Sequence, residues 1–216
     1  MSTTIAIPRG ALFEPVIDLL ERSGVIEPGL VSDSRVLVFE GDGVRILTVR
    51  PSDVPAYVEA GAADLGITGK DVLVEQSELD FVEVEDLRVG ACRMVIAALA
   101  GDPGPAEHER RLGLMRIATK YPQVTRDHFA AAGRQVEIVE LKGSVEIAPI
   151  VGLADAIVDL VDTGRTLDEN GLEERQELFA STARLIANVA FFRTAAAEAD
   201  RIAGALVGSR SGSADG

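Results

Sequence analysis

Residues Ala156–Leu167 read AIVDLVDTGRTL, and the rest of the chain repeats the pattern of this stretch. Its first half is a short, mostly apolar run of the length and composition of a buried strand. Its second half contains Thr163-Gly164-Arg165-Thr166, a glycine turn of the kind that joins a strand to a helix. The stretch therefore predicts a strand–turn–helix unit with two acids, Asp159 and Asp162, where the strand ends.

Similar units occupy the chain on both sides of this stretch. A strand at Thr4–Pro8 precedes a helix at 11–24, and the runs 35–40 and 44–49 flank a glycine turn that predicts a hairpin. Residues 177–191 (ELFASTARLIANVAF) predict a helix, and residues 194–208 predict a last one. Strands that alternate with helices favour an α/β fold with much parallel pairing.

The clearest loop, GDPGPAEHERRLG at 101–113, separates two similar runs of such units. We therefore predict two α/β lobes with mixed sheets. Lobe I comprises residues 1–97 and 187–208, and lobe II comprises residues 98–186 with the Ala156–Leu167 stretch. Residues 209–216 are small and polar, which predicts a disordered tail.

A short internal echo supports two lobes of like topology. Gly61-Ala62-Ala63-Asp64 and Gly152-Leu153-Ala154-Asp155 share the pattern G-x-A-D. Each leads into a strand that ends in Thr-Gly-cation, at Thr68-Gly69-Lys70 and Thr163-Gly164-Arg165. The pattern is also a common junction between the end of a helix and a strand, and we favour that interpretation of the similarity itself.

Composition excludes several classes of function. The net charge of −14 argues against nucleic-acid binding. Cys92 is the only cysteine, which rules out an intrachain disulfide and a cysteine metal cluster. The first residues lack the apolar core of a signal peptide, and no apolar run reaches membrane-spanning length. We therefore expect a cytoplasmic protein without a membrane contact.

The acids and the glycine turn suit a sugar phosphate. Carboxylates at a strand end accept hydrogen bonds from vicinal ribose hydroxyls, and backbone N–H groups of a glycine turn hold a phosphate beside threonine hydroxyls. An ordinary strand–helix loop, in which Thr166 caps the next helix, has the same local sequence. The local pattern leaves these two interpretations open.

The wider sequence resembles the ATP phosphoribosyltransferase family. Glu146, Gly152, Ala154, Asp159, Thr163-Gly164-x-Thr166 and Leu167 fall in the order and spacing of the family signature. Segments at 5–10, 50–75, 116–122 and 140–149 are also similar to family segments, so the resemblance covers the chain to about Val189. The length resembles the short form of the family, which lacks a C-terminal regulatory domain.

The resemblance implies a fold, a reaction and partners. The fold is of the type II periplasmic-binding-protein kind, with the active site in a cleft between the lobes. In the reaction, N1 of the ATP adenine attacks C1 of phosphoribosyl pyrophosphate and expels pyrophosphate, in the first step of histidine biosynthesis. Mg²⁺ is expected on the substrate phosphates. The resemblance also implies a regulatory subunit similar to histidyl-tRNA synthetase, in a homodimer or a larger hetero-oligomer.

The resemblance also implies site residues, and no protein metal ligands. Those expected to bind phosphoribosyl pyrophosphate are Glu146, Asp159, Asp162, Thr163, Gly164, Arg165 and Thr166. Arg35 and Arg50 are the expected catalytic residues at the ATP phosphates and the leaving pyrophosphate, and Arg9, Lys70 and Lys120 are expected to bind substrate phosphates. The family commonly has Lys-Gly-Arg where this chain has Arg9-Gly10-Ala11, and arginine does not replace lysine freely at a phosphate.

Two other functions fit parts of the pattern. Two lobes of this kind also describe non-catalytic modules that bind a solute or an anion. The run V-D-L-V-D-T-G-x-T has a general resemblance to the ribose-phosphate loop of nucleobase phosphoribosyltransferases. The missing signal peptide and the acids beside the T-G-R-T loop argue against a solute-binding module, and the length of the family resemblance argues against a nucleobase enzyme.

Overall fold

The computed structural model of the chain describes residues 2–32, 35–102 and 114–210. The chain divides into two compact units, one formed by Met1–Gly90 with Thr182–Gly216 and the other by Ala91–Ser181. Each unit is a sheet with its own helices. Much of the predicted loop at 101–113 and most of the predicted tail at 209–216 lie outside the described residues.

The first unit is built on a six-stranded mixed sheet. In spatial order its strands are β2 (Val38–Glu40), β3 (Val44–Val49), β1 (Thr3–Pro8), β4 (Leu65–Gly69), β11 (Ala183–Ala187) and β5 (Val82–Asp86). β1 pairs in parallel with β3 and β4, whereas β2, β11 and β5 join by antiparallel pairing. The predicted hairpin at 35–49 is confirmed as β2 and β3.

Helices cover both faces of this sheet. They are α1 (Phe13–Arg22), α2 (Val54–Glu59), α3 (Lys70–Glu75), α7 (Val189–Thr194) and α8 (Ala196–Gly208), with a 3₁₀ turn at Pro51–Asp53. α1 and α8 bury Leu20 and Leu206 against Ile5 and Ile7 of β1. α2 packs Val54 and Val58 on the opposite face. Each fully buried aliphatic side chain stabilises this arrangement by about 1.5–3 kcal/mol.

The second unit is built on a five-stranded mixed sheet. Its strands, in spatial order, are β10 (Leu172–Ser181), β6 (Cys92–Leu99), β9 (Ala156–Val161), β7 (Met115–Thr119) and β8 (Val136–Glu140). β7 pairs in parallel with β8 and β9, and β6 runs antiparallel to both β9 and β10. Its helices are α4 (Pro122–Ala131), α5 (Ile147–Ile150) and α6 (Arg165–Glu169).

The helix predicted at 177–191 is wrong. Residues 172–181 form β10, residues 183–187 form β11, and only the end of the stretch is helical, in α7. β11 lies between β4 and β5 with Leu185 and Ile186 fully buried. A short apolar run that is buried on both faces has no period that distinguishes a strand from a helix. Pairing with two distant strands therefore overrode the helical propensity of its alanines and leucines.

The boundaries of the two units differ from the boundaries predicted for the two lobes. The chain passes from one unit to the other at 90/91 and returns at 181/182, whereas we placed the changes at 97/98 and 186/187. The whole of β6 pairs with β9 and β10 in the second sheet, and β11 pairs with β4 and β5 in the first. Because each strand belongs to the unit whose sheet it pairs with, the two boundaries fall just before β6 and just before β11.

The G-x-A-D echo has the same geometry in both units. Gly61 and Gly152 have left-handed backbones with φ of 71° and 72°. Asp64 accepts a hydrogen bond from the Thr4 N–H of β1 at 2.8 Å, and Asp155 accepts one from the Arg116 N–H of β7 at 2.8 Å. Each aspartate thus joins its own strand to the parallel neighbour. Within the described residues, no helix is both long and apolar enough to cross a membrane.

Candidate functional site

The loop that follows β9 forms a pocket in the second unit. Gly164 has a φ of 83°, a left-handed conformation that favours glycine, and α6 begins at the next residue. The pocket has a volume of about 260 Å³ and is lined by Glu146 and by residues 160–167. The side chains of Asp162, Thr163 and Thr166 are exposed. The predicted ribose-phosphate loop therefore lies at an accessible pocket.

Asp159 and Lys120 form an ion pair beside this loop. The Lys120 Nζ lies 3.3 Å from Asp159 Oδ2, and the Asp159 side chain is only 16% exposed. Burial raises the pKa of the Asp159 carboxyl, with a smaller contribution from the charge of Glu146, while Lys120 and the Leu160 N–H oppose the rise. The pair brings a carboxylate and a cation from two neighbouring strands to one place.

The parallel pairing of β7 and β9 explains why Lys120 lies close to Asp159. Thr119, the last residue of β7, lies opposite Val158 in the register and donates a side-chain hydrogen bond to the Val158 carbonyl at 2.8 Å. The same hydroxyl accepts the Tyr121 N–H at 2.9 Å. Lys120, between them, is thus held at the carboxyl end of β7, next to the loop that leaves β9. Ligands of open α/β sheets bind at such strand ends.

Arg165 is the first residue of α6 and lines the pocket. Its Nε lies 3.0 Å from Glu169 Oε1, and its side chain is 82% exposed. This i,i+4 pair on α6 is the ordinary surface role of an arginine and contributes little to stability. Arg165 therefore lines the pocket while its guanidinium is engaged by Glu169.

The predicted cations of the first unit lie along one edge of its sheet. Arg50 follows β3, Arg9 follows β1 and Lys70 follows β4, and these are three adjacent parallel strands. Arg35 precedes β2, whose antiparallel register with β3 sets Val38 opposite Leu47 and so directs Arg35 to the same edge. Three positive charges at the carboxyl ends of parallel strands, with a fourth at the amino end of the antiparallel β2, suit a polyphosphate ligand.

These four cations differ in their present contacts. The Arg9 guanidinium donates to Thr48 Oγ1 at 3.3 Å and to the Val36 carbonyl at 3.2 Å. Lys70 Nζ forms an ion pair with Glu83 at 2.6 Å. Arg35 and Arg50 are exposed. The structure thus keeps Arg9 beside the segment that carries Arg35.

Two arginines, Arg45 and Arg50, lie within β3 and directly after it. Arg45 Nε lies 2.7 Å from Glu40 Oε1, directly across the β2–β3 pair. Arg50 follows the end of the strand with an extended backbone, at the start of the 3₁₀ turn. Arg45 thus has a local structural partner, and Arg50 is the better candidate for a ligand contact.

A second ion pair near the loop is one that the sequence does not predict. Arg93, at the start of β6, donates to both carboxylate oxygens of Glu174 on β10, at 2.7 and 2.8 Å. The two residues are 81 positions apart, and neither lies in a motif with a chemical meaning. Only the antiparallel pairing of β6 and β10 brings them together.

The described residues offer no protein metal centre. No group of three or more His, Cys, Asp or Glu side chains is placed to hold an ion within the ranges that the structure describes. Asp162 and Glu146 at the pocket are oxygen donors of the type that Mg²⁺ meets when substrate phosphates supply most of its ligands. These residues fit an ion that arrives with a substrate.

Fold and pocket define a two-lobed α/β protein with a cation-rich strand edge in one unit and an acid-flanked glycine loop in the other. Residues 50–208 match the family model HisG: ATP phosphoribosyltransferase. The chain is 49% identical over 195 residues to the ATP phosphoribosyltransferase of Rubrobacter xylanophilus, with 90% of each chain covered. It is 47% identical over 193 residues to that of Caldanaerobacter subterraneus subsp. tengcongensis, covering 88% of this chain and 89% of the relative.

A solved structure agrees with these relatives. The ATP phosphoribosyl transferase (HisG:HisZ) complex from Thermotoga maritima contains a chain with a TM-score of 0.82 and 38% sequence identity, covering 96% of this chain and 98% of that one. The chain belongs to the ATP phosphoribosyltransferase family. The predicted fold class, two α/β lobes with mixed sheets of the type II periplasmic-binding-protein kind, is confirmed.

Proposed function

We propose that the protein joins ATP to 5-phosphoribosyl 1-pyrophosphate, giving N1-(5-phosphoribosyl)-ATP and pyrophosphate, the first step of histidine biosynthesis. N1 of adenine forms a bond to C1 of the ribose, and the bond from C1 to the pyrophosphate oxygen breaks, with its electron pair leaving on pyrophosphate. The pocket at the loop after β9, in a chain of this family, is the observation that carries the proposal.

The second unit is proposed to bind the ribose 5-phosphate. Asp159 and Asp162 accept hydrogen bonds from the ribose hydroxyls. Asp162 and Glu146 line the pocket, and Asp159 lies near enough for the charge of Glu146 to act on it. Thr163, Gly164, Arg165 and Thr166 hold the phosphate through backbone N–H groups and two hydroxyls. Lys120 binds a substrate phosphate in this proposal, and its ion pair with Asp159 limits the negative charge at the ribose. The exposure of both threonines supports this assignment, because neither hydroxyl is buried in the fold.

The first unit is proposed to supply the cations that the polyphosphates require. Arg35 and Arg50 stabilise the charge that develops on the leaving pyrophosphate, and Arg9 and Lys70 bind substrate phosphates. Positive groups fixed in advance at a strand edge stabilise a leaving anion without reorganising when the bond breaks. Mg²⁺, when bound to the substrate phosphates, would neutralise part of their charge and orient them.

We further propose that the protein works in the cytoplasm and assembles with a regulatory subunit similar to histidyl-tRNA synthetase. The related structure from Thermotoga maritima is a HisG:HisZ complex, and 96% of the present chain aligns with a chain of that complex. A catalytic chain of the short form takes its regulation from such a partner. A mass measurement of the protein with and without the co-expressed partner tests the assembly.

The deciding assay follows pyrophosphate release from the protein with Mg²⁺, phosphoribosyl pyrophosphate and ATP. Free adenine and other bases are the control acceptors. We expect release with ATP and none above background with free bases. Release with free bases and not with ATP would identify a nucleobase enzyme, and binding of either substrate without any release would identify a binding module.

A further inference from the structure

Arg93 lies beside the loop that is proposed to bind phosphate. It pairs with Val161, the last residue of β9, in the antiparallel β6–β9 register, and the loop begins at the next residue. Its guanidinium holds Glu174 by two hydrogen bonds of 2.7 and 2.8 Å, with Glu177 Oε2 at 3.6 Å. The hydrogen bonds and the charge of Glu174 raise the pKa of Arg93. A fork-to-fork pair of this kind fixes the orientation of both groups.

Glu174 in turn lies against the loop itself. A Cβ built at Gly164 would stand 3.7 Å from Glu174 Oε1, so no side chain of that residue separates the carboxylate from the loop. Glu146 and Asp162 line the pocket that this loop forms. A phosphate dianion in this loop would therefore meet a third nearby carboxylate, and like charges at such distances repel by an amount that affects binding.

We propose that Arg93 is a positioning residue for phosphoribosyl pyrophosphate: it neutralises Glu174 and holds it in place, so that the loop 162–166 accepts the 5-phosphate. This inference rests on the proposed function, because it requires that the loop bind that phosphate. Arg93 acts through Glu174 and does not touch the substrate. The geometry assigns it this role because both donors of its fork face the carboxylate.

The test measures KM for phosphoribosyl pyrophosphate and kcat in the full chain with Mg²⁺ and saturating ATP. Arg93→Gln leaves Glu174 unneutralised and should raise KM by about tenfold, with a smaller change in kcat. Glu174→Gln alone should lower KM or leave it unchanged. The double variant, which removes both charges, should return KM to within about threefold of the wild type, a coupling that simple loss of packing does not produce.

Three further measurements make the result specific. Arg93→Lys keeps the charge and loses the fork, so its KM should fall between those of the wild type and Arg93→Gln. The matched control is Arg201→Gln, because Arg201 forms the same two-bond pair with Glu198 on α8, at 2.8 and 2.7 Å, in the other unit. Its KM should equal that of the wild type. If Arg93→Gln fails to fold, Glu174→Gln remains informative, and a raised KM in that variant overturns the proposal.

The outcomes separate this inference from the proposed function. If the wild type neither turns over nor binds phosphoribosyl pyrophosphate, the proposed function fails and this inference fails with it. If the wild type is active while Arg93→Gln has an unchanged KM, only the role of Arg93 is overturned. Equal impairment of Arg93→Gln and the double variant also overturns it, since Arg93 would then contribute something other than neutralisation.

Discussion

Thr163 and Thr166 are the two residues whose side-chain hydroxyls are proposed to donate hydrogen bonds to the 5-phosphate. Both are exposed at the pocket formed by the loop after β9. Thr163 Oγ1 has a long contact of 3.5 Å with the Arg165 N–H, which leaves the loop without a strong internal hydrogen bond from that side chain. Their contribution should therefore lie mainly in ligand binding.

Thr163→Ala and Thr166→Ala should each weaken the binding of phosphoribosyl pyrophosphate by about 1–3 kcal/mol, because each loses one hydrogen bond to a charged group. Titration calorimetry of the Mg²⁺ complex measures this directly. Thr194→Ala, at an exposed threonine of α7 whose hydroxyl bonds to its own helix, is the control and should bind as the wild type does. Unchanged affinity in both loop variants would place the phosphate elsewhere.

Arg50 and Arg45 allow a matched comparison on one strand. Arg50→Ala should lower kcat more than it raises KM, by roughly tenfold or more, because a contact that strengthens as pyrophosphate leaves acts on the transition state. Arg45→Ala removes a charge of the same sign from a pair with Glu40 and should leave both constants close to those of the wild type. A raised KM with kcat intact in Arg50→Ala would make Arg50 a ground-state binder.

At the scale of elements, Asp86 ties together the segments at which the chain leaves and re-enters the first unit. It accepts hydrogen bonds from the Thr182 hydroxyl at 2.7 Å and the Arg88 N–H at 2.9 Å, and Arg184 Nη1 of β11 lies 3.0 Å away. Arg88 has a left-handed backbone with a φ of 56°, which is rare outside glycine and costs energy. The end of β5 and the start of β11 thus depend on one carboxylate.

Asp86→Asn should lower the free energy of unfolding by about 1–3 kcal/mol at neutral pH, because the amide cannot replace a charged acceptor. Burial raises the pKa of Asp86, but the Thr182 hydroxyl, the Arg88 N–H and the charge of Arg184 outweigh it, so its pKa is lowered. The stabilisation is therefore present above the unfolded pKa of about 4 and is lost as the pH falls through the lower folded pKa.

Denaturant unfolding of the wild type and Asp86→Asn from pH 7 to pH 3 tests both parts. The difference in stability should be constant above pH ~5 and should shrink below pH ~4. Glu40→Gln, at an exposed ion pair on the hairpin, is the control and should change stability by less than about 0.5 kcal/mol. A difference that does not depend on pH would assign the effect of Asp86→Asn to packing and not to its charge.

The two copies of the internal echo share only part of their structure. In the G-x-A-D part, Asp64 and Asp155 have the same role in the two sheets, at the junctions that lead into β4 and β9. The Thr-Gly-cation turns that follow these strands differ in conformation. Gly69 has a φ of −70° and ends β4 with Thr68 buried, whereas Gly164 is left-handed and Thr163 is exposed. Of the two Thr-Gly-cation turns, the one after β9 is therefore the open one, and of the two it is the one that suits a phosphate.

At the scale of the whole molecule, the charges are distributed between the units in a way that fits the proposed reaction. The first unit carries the four predicted cations along one sheet edge. The second carries the carboxylates that suit ribose hydroxyls. A protein with a net charge of −14 thus concentrates positive groups where a polyphosphate is expected.

Removal of Mg²⁺ should separate activity from stability. Because the ion is proposed to arrive on the substrate phosphates, EDTA should abolish pyrophosphate release, and added Mg²⁺ should restore it. The Tm of the ligand-free protein should change by less than about 1 °C, since a ligand that does not bind the free protein cannot stabilise it. Activity that persists in EDTA, or a fall in Tm, would contradict a substrate-borne ion.

Local sequence was enough to predict the strand–helix units, the hairpin and the glycine loop after β9. Each of these depends on residues a few positions apart: apolar periodicity, a turn glycine, and acids placed where a strand ends. The family, and with it the expected reaction, followed from motifs at 5–10, 50–75 and 146–167. Because these features depend on residues that are close together in the sequence, they are predictable without the folded structure.

Long-range pairing determined the rest. β10 and β11 are strands because β6, β4 and β5 supply the partners, although the residues that form them favour a helix by composition. The same pairing shifts the boundaries of the units and brings Arg93 to Glu174 across 81 positions. Such contacts depend on which strands lie side by side, and apolar periodicity within one segment carries no information about its neighbours in the sheet.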